Sequence, residues 1–207
     1  MKKITLFIVA LFTALCALAQ TPKEIISLME SAMDRRSPEG VAMTIDAKVP
    51  IMGTMVTKSY NLGGKLRLEA SMMGVNIITI TDGTNTWTYN SKTKEVVITG
   101  EEDADIENDA EMFHGITKGY DVSIKKQTDQ AWYLQCKKTR DNSNKDDPKS
   151  MEVVVAKGSY CPISLKTKVS GVTLTLHSIT FGVPQEKFIF RPTDFPNATI
   201  IDKRQQP

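Results

Sequence analysis

Residues that carry chemistry are scarce in this chain. Its 207 residues include two histidines and three cysteines, and only 7% are aromatic. The sequence contains no G-x-S-x-G, no H-E-x-x-H and no phosphate-loop or dinucleotide fingerprint. His177 stands among Thr173, Thr175 and Ser178, a strand pattern that turns it to solvent, and His114 closes an acidic stretch where a helix C-terminus favours a cation. Carboxylates are plentiful, but nothing in the sequence pairs two of them across a cleft. The expectation is a protein that is not an enzyme and uses no cofactor.

Charge of one sign is also lacking. The 26 basic side chains nearly cancel the 24 acidic ones, which argues against a general nucleic-acid binder, because such proteins need a basic surface to displace counterions. Hydrophobic runs are short. The longest, Ile4 to Leu15, is broken by Thr5 and Thr13 and is too short to span a bilayer comfortably. It follows Lys2 and Lys3 and precedes Ala17-Leu18-Ala19, so residues 1–19 read as a secretory leader cleaved after Ala19, leaving residues 20–207 as one soluble domain. Cys16 raises an alternative, lipid attachment at the junction, although Leu15 before it is larger than that chemistry prefers. Cys136 and Cys161 have no neighbouring His pair, so no metal site is expected. Export permits a disulfide between them. A simple meander, however, sets a strand between them and favours two free thiols.

What is present is pattern. Thr21 is a candidate N-cap, with Pro22 at the first helical position and Glu24 completing a capping box. Ile25, Leu28, Met29, Ala32 and Met33 form one helical stripe that ends at Ser37-Pro38-Glu39-Gly40. Six strands in a meander follow, between Val41 and Thr99, with Gly63-Gly64, Met72-Met73-Gly74 and Asp82-Gly83 among the turns. Residues 101–111 then hold seven acidic side chains among Ala104, Ile106 and Ala110, with Met112 and Phe113 next. Calcium is a poor match, because an EF-hand loop begun at Asp103 would have Asn108 and His114 where Gly and Glu are required. The segment reads instead as a short inserted helix with an acidic solvent face, and Gly115 and Gly119 offer it a hinge. Five more strands run from Tyr120 to Val183, with a tail after them. This is a mainly β (α+β) chain of about eleven strands, and a long antiparallel meander curls into an incomplete barrel.

Nine methionines follow the leader, many of them on the helix stripe or at hairpin ends. Met is unbranched and pliable; it fills cores and also lines surfaces that receive variable apolar partners. The expected arrangement is an apolar cavity covered by the two helices. Candidate lining residues are Met29, Met33, Met43, Met55, Leu66, Leu68, Ile78, Ile80, Trp87, Ile106, Met112 and Phe113.

Two segments carry a family resemblance. Residues 80–90, with Asp82-Gly83 followed by Trp87 and Tyr89, are similar to the D-G-x-x-x-W-x-Y segment of the periplasmic outer-membrane lipoprotein carriers (LolA-type, within the LolA/LolB-like superfamily). Residues 186–192, with Phe188, Phe190 and Pro192, resemble that family's closing F-x-F-x-P segment, and the order of elements matches over essentially the whole mature chain. The resemblance implies an incomplete barrel with a helical lid over an apolar cavity. It also implies a monomeric periplasmic carrier that takes lipoprotein acyl chains from an inner-membrane lipoprotein-releasing ABC transporter and shields them on the way to the outer membrane. Free lipid is the other cargo left open. A lipid-sensing or protein-binding domain of the same fold is the alternative function. In that family an Arg near the start of the third strand touches the lid; the nearest basic residues here are Lys65 and Arg67.

Overall fold

The computed structural model describes residues 20–100 and 113–204. The expected leader and the expected inserted helix, with Ile106 and Met112, lie outside the described residues.

Helix α1 (Pro22–Arg36) begins as its sequence dictates. The Thr21 hydroxyl accepts the Glu24 N–H, the Glu24 carboxylate accepts the Thr21 N–H, and Pro22 occupies the first turn. The Thr21 N–H on its carboxylate above all, and the Thr21 side chain beside it, hold the Glu24 carboxyl below its ordinary pKa. Gly40 turns the chain from the helix into the sheet at φ 82°, and a Cβ there would meet the Val183 Cβ at 2.9 Å, so only glycine fits.

Among the described residues twelve strands form one sheet, β1 (Val41–Val49), β2 (Gly53–Leu62), β3 (Lys65–Met72), β4 (Val75–Thr81), β5 (Asn85–Asn90), β6 (Glu95–Gly100), β7 (Tyr120–Gln127), β8 (Ala131–Lys138), β9 (Ser150–Ala156), β10 (Pro162–Val169), β11 (Val172–Phe181) and β12 (Thr199–Asp202). Their order is β12-β6-β5-β4-β3-β2-β1-β11-β10-β9-β8-β7. The sheet stays open, because β7 and β12 stand at opposite ends of that order. Every neighbouring pair is antiparallel except β12 with β6. This parallel pair has a simple origin. The tail leaves β11, crosses the sheet from one end to the other, and so starts its strand at the end where β6 also starts.

The register divides the side chains between two faces. Cross-strand partners point the same way. Val41, Met43 and Ile45 on β1 therefore share the inner face, the one that carries α1, with Leu176 on β11, Leu165 on β10, Val153 on β9 and Leu134 on β8. Ile25, Met29 and Met33 of α1 pack there, as does Phe113, and none of these four is solvent-exposed. A second cluster, of Ile80, Val96 and Phe195 with Ile78, Trp87, Tyr89 and Phe190, lies on the outer face under the tail. The Trp87 ring stacks on Phe190, and Phe190 on Phe195.

Cys136 and Cys161 are free thiols. Cys136 pairs with Met151 at the start of β9, whereas Cys161 lies beyond the far end of that strand. Burial pushes the Cys136 thiol up to about 11, so it stays protonated and inert.

Candidate functional site

The inner face has two halves of different composition. On β1 and β7–β11 it is apolar and filled: Trp132, Leu134, Cys136, Val153 and Val155 close against α1. Here Met29, Met33, Met43 and Phe113 are core, exposed by 2% or less. They fill space rather than line a vacancy.

On β2–β6 the same face interleaves apolar and hydroxyl side chains. One row across the strands reads Met43, Ser59, Leu68, Thr79, Thr88, Val97, and the next reads Val41, Asn61, Leu66, Thr81, Thr86, Thr99. Leu66, Leu68, Ala70, Ile77 and Met55 are half-buried there. No described helix packs on this half. Its inward side chains carry no charge except Glu95, which lies at the strand end. Thr79 and Thr88 hydroxyls sit 3.4 Å apart, and the Thr81 hydroxyl accepts the Gly83 N–H. The Thr86 hydroxyl, by contrast, is buried with no hydrogen-bond partner. A buried orphan of this kind costs free energy that a ligand oxygen or N–H could recover. An apolar surface with such polar points can hold a flexible hydrocarbon and one or two polar groups. Among the described residues, no group of three or more His, Cys, Asp or Glu side chains is placed to hold a metal.

Of the expected lining residues, Met55, Leu66 and Leu68 come together on this half. Ile78, Ile80 and Trp87 do not. Ile80 pairs with Arg67 and Ile78 with Glu69, so these residues face outward, beneath the tail. The physical reason is the two-residue turn Met73-Gly74, both at positive φ, which pairs Met72 with Val75 and sets even positions of β3 opposite odd positions of β4. Arg67 is likewise outward. It pairs with Glu69 at 2.7 Å and donates to the Lys187 carbonyl, so it ties the tail and not the helix.

The exit of the acidic segment is anchored to α1. The Gly115 N–H donates to Glu30, and His114 meets Asp34. Gly119 is not a free hinge: its carbonyl accepts from the Thr139 N–H and hydroxyl and from Asn142, and a Cβ there would strike the Asn142 amide at 2.6 Å. His177 lies 3.3 Å from Asp46 and within hydrogen-bond distance of Ser178, on the outer face as its strand pattern indicated. A groove of about 450 Å³ between α1 and β7, lined by Lys23, Ile26, Glu30, Tyr120 and Val122 among others, had no signal in the sequence, because neither element alone marks the gap between them.

Among the described residues, one α-helix lies on one half of an open, mainly antiparallel sheet, with a tail strapped across the back. No protein-family model matches the sequence, and no curated protein matches it. Among solved structures, LprF from Mycobacterium bovis is similar over 87% of this chain and 100% of its own, with a TM-score of 0.53 and 11% identity. A LolA superfamily protein from Nitrosomonas europaea is similar over 83% of this chain and 99% of its own, with a TM-score of 0.32 and 13% identity. An outer membrane lipoprotein-sorting protein domain from Vibrio parahaemolyticus covers 79% of this chain and 95% of its own, with a TM-score of 0.34 and 12% identity. The likeness to LprF, at 11% identity, is one of fold. Among the described residues no helix is long and apolar enough to cross a membrane.

Proposed function

We propose that this chain is an exported, non-enzymatic lipid-binding carrier that shields acyl chains, of a lipoprotein or of free lipid, on the inner face of β2–β6. The observation that carries the reading is the contrast within one face: Leu66, Leu68 and Met55 are half-buried beside a half that α1 fills completely. Each buried CH₂ contributes about 0.8 kcal/mol, so one long chain gains on the order of 10 kcal/mol before ordering costs. That is enough to hold a cargo and, after those costs, small enough to release it. The expected secretory leader and the family resemblance of the sequence favour the periplasm as the compartment. They favour an inner-membrane ABC transporter as donor, the outer membrane as destination, and action as a monomer.

The test is a fluorescent fatty acid titrated into the folded protein and then displaced by a diacylated lipopeptide, with native mass spectrometry of protein recovered from export. Saturable, displaceable binding and co-purified acyl chains are expected. Folded protein that neither binds the probe nor carries lipid would end this reading.

A further inference from the structure

One end of the sheet differs from the other in a way that neither folding nor the inner face explains. The turns β10–β11, β1–β2, β3–β4 and β5–β6 lie side by side at that end. Ile51 is fully exposed at 107% relative accessibility, Met52 at 56% and Met73 at 81%. Ile51 also has φ 69°, a left-handed conformation in which a β-branched side chain is strained and which glycine or asparagine adopts freely. A residue that is both strained and unpacked contributes nothing to the fold, so its apolar side chain calls for a partner outside the chain.

The charges at this end point to that partner. Residues 48–54, 71–76, 90–95 and 168–173 contain four lysines, Lys48, Lys92, Lys94 and Lys168, against one acid, Glu95, while the β8–β9 loop beside the 168–171 turn balances Arg140, Lys145 and Lys149 against Asp141, Asp146 and Asp147. All four are exposed, and among the described residues none forms an ion pair. Lys48 and Lys168 flank Thr173 in one row of the outer face, beside the Ile51 turn. The opposite end is unlike this. Its turns, within residues 62–65, 81–85, 127–131 and 156–162, balance Lys65 and Lys157 against Asp82 and Asp129, and Ile163, just after the last of them, is exposed by 44%, less than Ile51, Met52 or Met73.

We propose that the end bearing Ile51, Met52 and Met73 is a docking rim for an anionic lipid bilayer. The three side chains enter the interface between headgroups and acyl chains, and the four lysines meet the negative surface. Apolar tips supply burial and lysines supply long-range attraction, and it is the pairing of the two that makes peripheral binding both measurable and salt-sensitive. The inference stands apart from acyl-chain binding on the inner face, and either can fail while the other holds.

The experiment is flotation of the processed, folded protein with vesicles of phosphatidylcholine alone and of phosphatidylcholine with phosphatidylglycerol. Binding to the anionic vesicles is expected to exceed that to the neutral ones and to fall as salt rises. Ile51→Ser with Met52→Ser, and separately Lys48→Glu with Lys168→Glu, should each weaken it by roughly tenfold or more. Lys65→Glu with Lys157→Glu, at the other end, should leave it unchanged. Ile51→Gly keeps the fold, because it relaxes the turn; its melting temperature should not fall, while vesicle binding should. Absence of binding by folded wild-type protein would overturn the proposal. So would binding that ignores the tip substitutions, or that responds equally at both ends.

Discussion

The two halves of the inner face are built from the same sheet and read differently. On β1 and β7–β11, inward positions are apolar and α1 seals them. On β2–β6, inward positions alternate Leu or Ile with Thr, Ser or Asn, and the apolar members stay half-exposed. A core built only for stability has no use for buried hydroxyls, each of which needs a partner. The first half therefore serves the fold, and the second is the half to which the proposed ligand is assigned.

Substitutions can break or sharpen that contrast. The largest effect belongs to the filled half. Phe113→Ala removes a fully buried ring from between α1 and the sheet and should cost about 3–5 kcal/mol, read by chemical denaturation. The same measurement on Leu66→Ala or Leu68→Ala should show only about 1 kcal/mol, since these side chains are half-exposed already. If Leu68→Ala costs as much as Phe113→Ala, the two halves are one core and the contrast is false. Thr86→Val should go the other way. It removes an orphaned buried hydroxyl, so the ligand-free protein should gain about 1 kcal/mol. The smallest effect concerns the helix cap. The Glu24 carboxyl titrates below its usual value of 4.5 because Thr21 holds its charged form. A lowered pKa means that its contribution is present above the unfolded value and fades as pH falls through the folded one. The stability gap between wild type and Glu24→Gln should accordingly shrink on acidification below about 4.5.

Much of this was legible in the residues. The capping box at Thr21, the helix stripe and most hairpin turns follow from local chemistry, and the strands follow from their alternation. Faces were harder, because either face of a single strand can be the inward one. Leu66/Leu68 and Ile78/Ile80 look equivalent as alternating sets. Only the two-residue turn at Met73-Gly74 fixes their parity, and it sends them to opposite sides. The tail was illegible for a related reason. Its Phe188-x-Phe190 segment announces burial, but the surface that the tail covers, Trp87 and Tyr89, lies far away in the chain, and no local pattern links them. The parallel β12–β6 pair follows from that same long crossing. Methionine proved ambiguous in a simple way: Met29, Met33 and Met43 are core, while Met52 and Met73 are on the surface.

The account rests most on acyl chains lying against the inner face of β2–β6. A direct measurement is the affinity of a fluorescent fatty acid for wild type, for Leu68→Asn on the inner face, and for Ile78→Asn at the neighbouring strand position that faces outward under the tail. Each variant would first be shown to fold by circular dichroism. The account predicts that Leu68→Asn weakens binding by roughly tenfold or more, as polar substitution in an apolar contact surface does, while Ile78→Asn lowers stability and leaves affinity near wild type. Equal affinities for wild type and Leu68→Asn, or a loss confined to Ile78→Asn, would contradict it.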